Sequence, residues 1–206
     1  MFRLFITLLA ALVATSCSGP RYVDYFPYFD DGTPKPKVAL MPIIDSTNCS
    51  LGWSFGEEVA QGIDCEFMNS GRFYVLSPRE IGPAWNKVSE IDLTGGDLSY
   101  ASEFRNTDFI VILELIDRDV DSNEACRTLT TSVRIKVIDA RCASPKIILH
   151  EVYKSNYMST PSHGDVDGNG ERWGTPAYTK TCCGLAHQRL IKGLSQRLEE
   201  VIWRAK

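Results

Sequence analysis

Cys183 and His187 are one helical turn apart, a spacing that sets a thiol beside an imidazole on one helix face. Such a pair can supply a nucleophile with its base, or half of a zinc site. Two ligands do not close a metal site, and no second CxxC or HxxxH pair accompanies them. The use expected for Cys183 is therefore a disulfide. A second candidate lies in HGDVDGNGE, residues 163–171. Asp165, Asp167, Asn169 and Glu171 set oxygen ligands at alternate positions, and Gly170 suits a sharp turn, as at the opening of a calcium loop. Pro176 stands where such a loop needs its bidentate Glu, so the full pattern fails and a solvated Gly-rich loop is expected. A metal-dependent enzyme around His163, Asp165 and Asp167 is the catalytic version of that site. His150 alternates along a strand and reads as a packed or surface residue. Glu57 and Glu58 read as a helix first turn, where the dipole favours carboxylates. The sequence has no G-x-S-x-G, P-loop, G-x-G-x-x-G or HExxH. The expectation is a protein without enzymatic activity and without a cofactor.

The elements that position these residues belong to a chain of 206 residues, 44% hydrophobic, 10% aromatic and 23% charged. That is enough for one sizeable core, and it excludes a disordered chain, a coiled coil or a multi-pass membrane protein. Lys and Arg total 22 against 26 Asp and Glu, a formal charge of -4 with no basic stripe, so nucleic acid is not an expected partner. Seven cysteines are many for a reducing cytosol.

Residues 1–16 read as a signal peptide. Arg3 is the positive n-region, and Leu4 to Val13 is an apolar run too short to span a bilayer. Ala14, Thr15 and Ser16 then precede Cys17. This resembles the lipobox of bacterial lipoproteins, in which the cysteine is acylated and becomes the new N-terminus. Ala14 and Ser16 depart from its commonest residues, and the same stretch also suits an ordinary export cleavage. Ser18 after the cysteine implies, by the same resemblance, sorting to the outer membrane, with the face left open. Residues 17–37 follow as a tether, broken by Pro20, Pro27, Pro34 and Pro36. Fully extended, Ser18 to Lys37 reaches roughly 65 Å. The tether carries Tyr22, Tyr25, Phe26, Tyr28 and Phe29, rings that either pack on the domain or form a strip for a partner.

Residues 38–206 read as one domain. VALMPIID, from Val38 to Asp45, is a buried strand interrupted at Pro42. Ser54 and Glu57 open a helix whose Phe55, Val59, Ile63 and Phe67 share a face, and Gly71 ends it. Arg72 to Ser77 is a second strand, and short helices are expected near 78–87 and 96–105. Phe109 to Ile116 is a central strand. Leu129 to Asp139 is half-buried, with Arg134 and Lys136 on the solvent side. Lys146 to Tyr153 is the fifth strand, 156–180 a polar loop, and Leu190, Leu194, Leu198 and Ile202 mark a final amphipathic helix. The order β-α-β-(α)-β-β-β-α is an α/β fold. Its mixed five-stranded sheet has a parallel first pair, an antiparallel meander, and helices packed on it.

VALMPIIDST, GEEVAQGI, GRFYVLSPREI and TDFIVILELI together resemble the N-terminal domain of TolB and the envelope lipoproteins CsgG and LpoB, over about residues 37–155 and the last helix. Chlamydial lipoproteins of unknown function carry a similar cysteine-rich arrangement. The cysteine count and the length of the 156–180 loop depart from the TolB pattern.

Without Cys17, six cysteines remain: Cys49, Cys65, Cys126, Cys142, Cys182 and Cys183. The expected topology puts Cys49, Cys126, Cys182 and Cys183 at the end where the first strand finishes, and Cys65 and Cys142 towards the other. Disulfides are therefore expected between Cys65 and Cys142, and among Cys49, Cys126 and the Cys182/Cys183 pair.

The function expected on these grounds is an outer-membrane lipoprotein, held to the membrane by its lipid. Its α/β domain would recruit or support another envelope protein, as the resemblance to LpoB implies. The alternative is a secreted or surface-exposed disulfide-rich protein acting on a host or neighbouring cell.

Overall fold

A computed structural model describes residues 26–47, 49, 51–104, 106–122, 127–159 and 173–206. Cys17, Tyr22, Tyr25, Cys126 and the whole 163–171 loop, with His163, Asp165, Asp167, Asn169 and Glu171, lie outside the described residues.

The expected first strand is two. Pro42 cannot donate to a ladder, and the chain divides into β1 (Lys37–Leu40) and β2 (Ile44–Asp45). Both run parallel to β4 (Phe109–Ser122), in registers Val38↔Phe109 and Ile44↔Glu114. The short β3 (Tyr74–Val75) pairs parallel with β1. β5 (Arg127–Asp139) and β6 (Lys146–Ser159) complete the antiparallel meander. The result is a six-stranded mixed sheet, ordered β3-β1-β4-β5-β6 with β2 also on β4, in place of the five strands expected.

Helix α1 (Phe55–Ser70) starts where the Ser54 hydroxyl accepts from the Glu57 amide, a cap that contributes about 1 kcal/mol. It stops at Gly71, whose φ of 65° is left-handed. Its apolar stripe and that of α4 (Cys182–Ala205) cover one face of the sheet. Phe55, Val59, Ile63 and Phe67 meet Leu190, Leu194 and Leu198 over the odd-numbered residues of β4 and β5. The helices lie parallel and close. A Cβ on Gly62 would collide with the Ile191 side chain, and one on Gly193 with the Tyr153 hydroxyl.

The other face is covered at one end by α2 (Pro78–Trp85), α3 (Glu90–Thr94) and a 3-10 turn, Ser99–Glu103, over Ile110, Ile112 and Ile138. The turn falls within the range expected for a second short helix, and α3 adds one that was not expected. This layer also corrects the reading of Lys136 as a solvent-side residue. Its ammonium is buried and donates to the carbonyls of Leu93 and Gly95. Burial holds its pKa below the ordinary lysine value, aided by the charge of Arg134. β6 runs on to Ser159, and Tyr178–Lys180 is a 3-10 turn, so both ends of the expected 156–180 loop are ordered elements.

The described part of the tether is not extended. Phe29 donates to Thr33 O, Gly32 to Phe29 O and Lys35 to Pro27 O, closing a small hairpin in which Gly32 takes a φ of 79°.

No disulfide joins the described cysteines, so the structure does not support the stapling expected among them; Cys49, Cys65, Cys142 and Cys183 are free thiols. The Cys65–Cys142 bridge fails on position. Gly62 of α1 lies against Ile191, so Cys65, one turn on, sits at mid-height of α4. Arg141, next to Cys142, donates instead to Ala205 O at the far end of α4. About ten helical residues at 1.5 Å each separate these levels, more than twice what a disulfide spans.

Candidate functional site

Glu58 sits one position from Val59 on the buried side of α1 and is 3% exposed. A carboxylate that deep must be paired or fully hydrogen-bonded. Glu58 is both. Oε2 accepts from Trp53 Nε1 at 2.9 Å and faces His187 Nδ1 at 3.0 Å, and Oε1 accepts from the Tyr178 hydroxyl at 2.9 Å. The same hydroxyl lies 2.7 Å from His187 Nδ1. The Phe55 ring stacks at 4.4 Å on the His187 ring and fixes its plane.

With Nδ1 turned to Glu58, Nε2 of His187 points at Cys183 Sγ, 3.5 Å away. The thiol–imidazole pair expected from the spacing therefore exists, and a buried carboxylate orients it. Cys183 also sits in the first turn of α4, whose N-cap Thr181 accepts from the Gly184 amide. A helix N-terminus favours negative charge there.

The cation of the site comes from the sheet. Phe109, Val111, Leu113 and Leu115 of β4 face α1 and α4, and strict alternation would next turn residue 117 that way. A bulge between Leu115 and Asp117 shifts the register, so Arg118 pairs with the inward Thr131 and faces the helices. Its Nη1 lies 3.3 Å from Cys49 Sγ, its Nη2 3.3 Å from Cys183 Sγ, and its Nε 3.4 Å from His187 Nε2.

These contacts separate the two thiols electrically. Burial pushes the Cys183 thiol up, but the hydrogen bond and charge of His187, then the charge of Arg118, outweigh it and hold it below the ordinary thiol value. Burial likewise pushes His187 down, and its bonds to Cys183 and Glu58 carry it above the ordinary imidazole value. Cys49 goes the other way: burial raises it, and Arg118 only partly opposes this. Burial, then the negative charges of Cys183 and Glu58, push Tyr178 far up, so its hydroxyl remains a donor. The arrangement can hold a thiolate–imidazolium pair beside a second, protonated thiol.

A groove of about 430 Å3 opens beside the cluster, lined by Gln61, Gly62, Trp173, Pro176, Tyr178 and Gln188 among others. Neither Cys183 nor His187 lines it, so a molecule held there would meet Tyr178, Glu58 and Cys65 but not the Cys183 sulfur. Among the described residues, no group of three or more His, Cys, Asp or Glu side chains is placed to hold a metal ion.

Of the site residues expected from the sequence, Cys49 and Cys183 are brought together around Arg118, Cys65 is exposed on the wall of the neighbouring groove, and Cys142 is exposed elsewhere. Phe26 and Tyr28 are exposed, at 61% and 57%, while Phe29 is half-buried between Lys35 and Lys206. Glu58 was read only as a first-turn carboxylate of α1, which it also is, and Arg118 and Tyr178 were missed. Glu58 carried a signal, a carboxylate inside the apolar stripe of α1. Arg118 and Tyr178 carried none without the bulge and the 3-10 turn.

The fold and site define an α/β sandwich with a thiol–imidazole–carboxylate cluster at the N-terminal end of its last helix. The chain belongs to a family of unknown function, DUF7499, whose model matches residues 24–206. No curated protein matches it in sequence. It is similar in fold to the hypothetical protein CT253 of Chlamydia trachomatis, with 22% identity and a TM-score of 0.68 over 82% of this chain and 98% of that one. That likeness establishes the fold and leaves activity to the site itself. More remote matches are lipoprotein GNA1162 of Neisseria meningitidis, with 12% identity and a TM-score of 0.47 over 80% and 99% of the two chains, and a PelC dodecamer of Paraburkholderia phytofirmans, with 12% identity and a TM-score of 0.42 over 78% and 87%.

Proposed function

We propose that this protein is an outer-membrane lipoprotein: Cys17 carries the acyl anchor, and the α/β domain binds another protein of the cell envelope. The observation that carries this reading is Phe29. Its ring lies 4.7 Å from Lys206 Nζ and 5.7 Å from Lys35 Nζ, so the described end of the tether is pinned beside the end of α4. Lys206 also lies over Trp203, which is 44% exposed. Phe26, Tyr28 and Trp203 thus offer exposed rings near the point where the anchored segment meets the domain, a composition suited to a protein contact. No helix among the described residues is long and apolar enough to cross a membrane, and the anchor in this reading is the lipid alone.

The test is the intact mass of the mature protein from its native envelope, beside a Cys17→Ser variant. The expected result is a diacylated or triacylated N-terminus that the variant lacks. An unmodified N-terminus overturns the reading and favours a secreted protein with a target outside the cell.

A further inference from the structure

We propose that Cys183 and Cys49 form a thiol–disulfide exchange site, with Cys183 as the attacking sulfur, Cys49 as the resolving sulfur and a small-molecule disulfide as the substrate. The inference is independent of the anchor and goes beyond it. It rests on one geometric fact, that two sulfurs from distant parts of the chain sit on the two nitrogens of a single guanidinium fork, each at 3.3 Å. An inert core cysteine would be packed among apolar atoms; these two are only half-buried and sit on a cation.

The two sulfurs differ as exchange requires. Cys183 has an imidazole at 3.5 Å, a hydroxyl at 3.8 Å and a helix N-terminus. Cys49 takes its hydrogen bond from Arg118. The first is therefore the ionised, attacking thiol, and the second keeps its proton until it is needed. Glu58 is a positioning residue: it holds His187 with Nε2 towards the sulfur.

In the first step the Cys183 thiolate attacks one sulfur of the disulfide. A Cys183–S bond forms, the substrate S–S bond breaks, and the leaving thiolate takes a proton from His187. In the second, Cys49 gives its proton to His187 and attacks Cys183 Sγ, with Arg118 swinging from between them. A Cys49–Cys183 bond forms, and the second thiolate leaves with that proton. Two protein thiols are oxidised to one disulfide, and the substrate is reduced to two thiols. Half-burial of both sulfurs suits a small substrate better than a folded protein.

The experiment treats the full chain with oxidised glutathione at neutral pH and maps the products by mass spectrometry. The expected product is a Cys49–Cys183 disulfide. In Cys49→Ser the first step is trapped as a glutathione adduct on Cys183. In Cys183→Ser, adduct formation at Cys49 is at least about tenfold slower. The proposal is overturned if Cys183 stays a thiol while the exposed Cys65 and Cys142 react, or if Cys183 is recovered bonded to a cysteine other than Cys49. Should the variants fail to fold, the wild type decides alone. A Cys183 labelling profile with its midpoint at or above the ordinary thiol value of 9.0 removes the attacking thiolate and with it the site.

Discussion

His187 Nδ1 lies 3.0 Å from Glu58 Oε2, across 129 positions of sequence, with both side chains almost wholly buried. The carboxylate orients the ring so that Nε2 faces Cys183, and against burial the imidazole, then Arg118, holds the thiol below its ordinary value.

Glu58→Gln keeps the shape and one acceptor oxygen, enough for Trp53 or Tyr178 but not both, and removes the charge that favours imidazolium. Cys183 should then become less acidic by about one pKa unit, roughly tenfold less thiolate below its midpoint. The pH profile of its alkylation by iodoacetamide reads this directly. An unmoved midpoint would mean that Glu58 serves the fold alone.

The pair also links stability to pH. His187 is raised above its ordinary value of 6.5, so its contribution is complete below 6.5 and is lost as pH rises through the raised value. Cys183 is depressed below 9.0, so its contribution is complete above 9.0 and is lost as pH falls through the depressed value. The ion pair needs both charged forms. The urea-midpoint difference between wild type and Cys183→Ser should therefore peak between the two values and shrink on either side. A difference that is flat from about pH 5 to 10 contradicts the ion pair.

Gly184 gives α4 room to start under the 3-10 turn that carries Tyr178. A Cβ there would overlap the Tyr178 carbonyl oxygen, which is backbone and cannot rotate away. Gly184→Ala should cost about 1–3 kcal/mol and displace the Tyr178 hydroxyl from Glu58 and His187. Gly96→Ala, where a Cβ would meet nothing within 4 Å, should be neutral or slightly stabilising. Chemical denaturation of the two variants checks the contrast; equal stability would show that the turn yields easily.

Local patterns reached far into this fold. The Ser54 cap, the Gly71 stop, the α1 stripe and the α4 stripe depend on neighbours within a turn or two, and each stands where its residues put it. The meander was legible for the same reason, since period-two apolar runs and short connections leave few arrangements. The layer over Ile110 and Ile138 was legible only in part: α2 and the 3-10 turn fall where short helices were expected, and α3 does not. Its helices are short, and Lys136 reads as a surface residue until Leu93 and Gly95 supply the carbonyls that satisfy it.

The sequence by itself determined the element order, the two helix stripes and the one-turn spacing of Cys183 and His187, because these are properties of residues close along the chain. Tertiary structure alone decided what that pair became. Glu58 comes from another helix, Tyr178 from a turn beside a polar loop, and Arg118 from a strand whose bulge reverses its face. Convergence over such separations depends on packing, and no local period records it. The same holds for the cysteines: their number and context suggested staples, but the fold sets Cys65 and Cys142 at different levels of α4 and leaves Cys49 and Cys183 as thiols around one guanidinium.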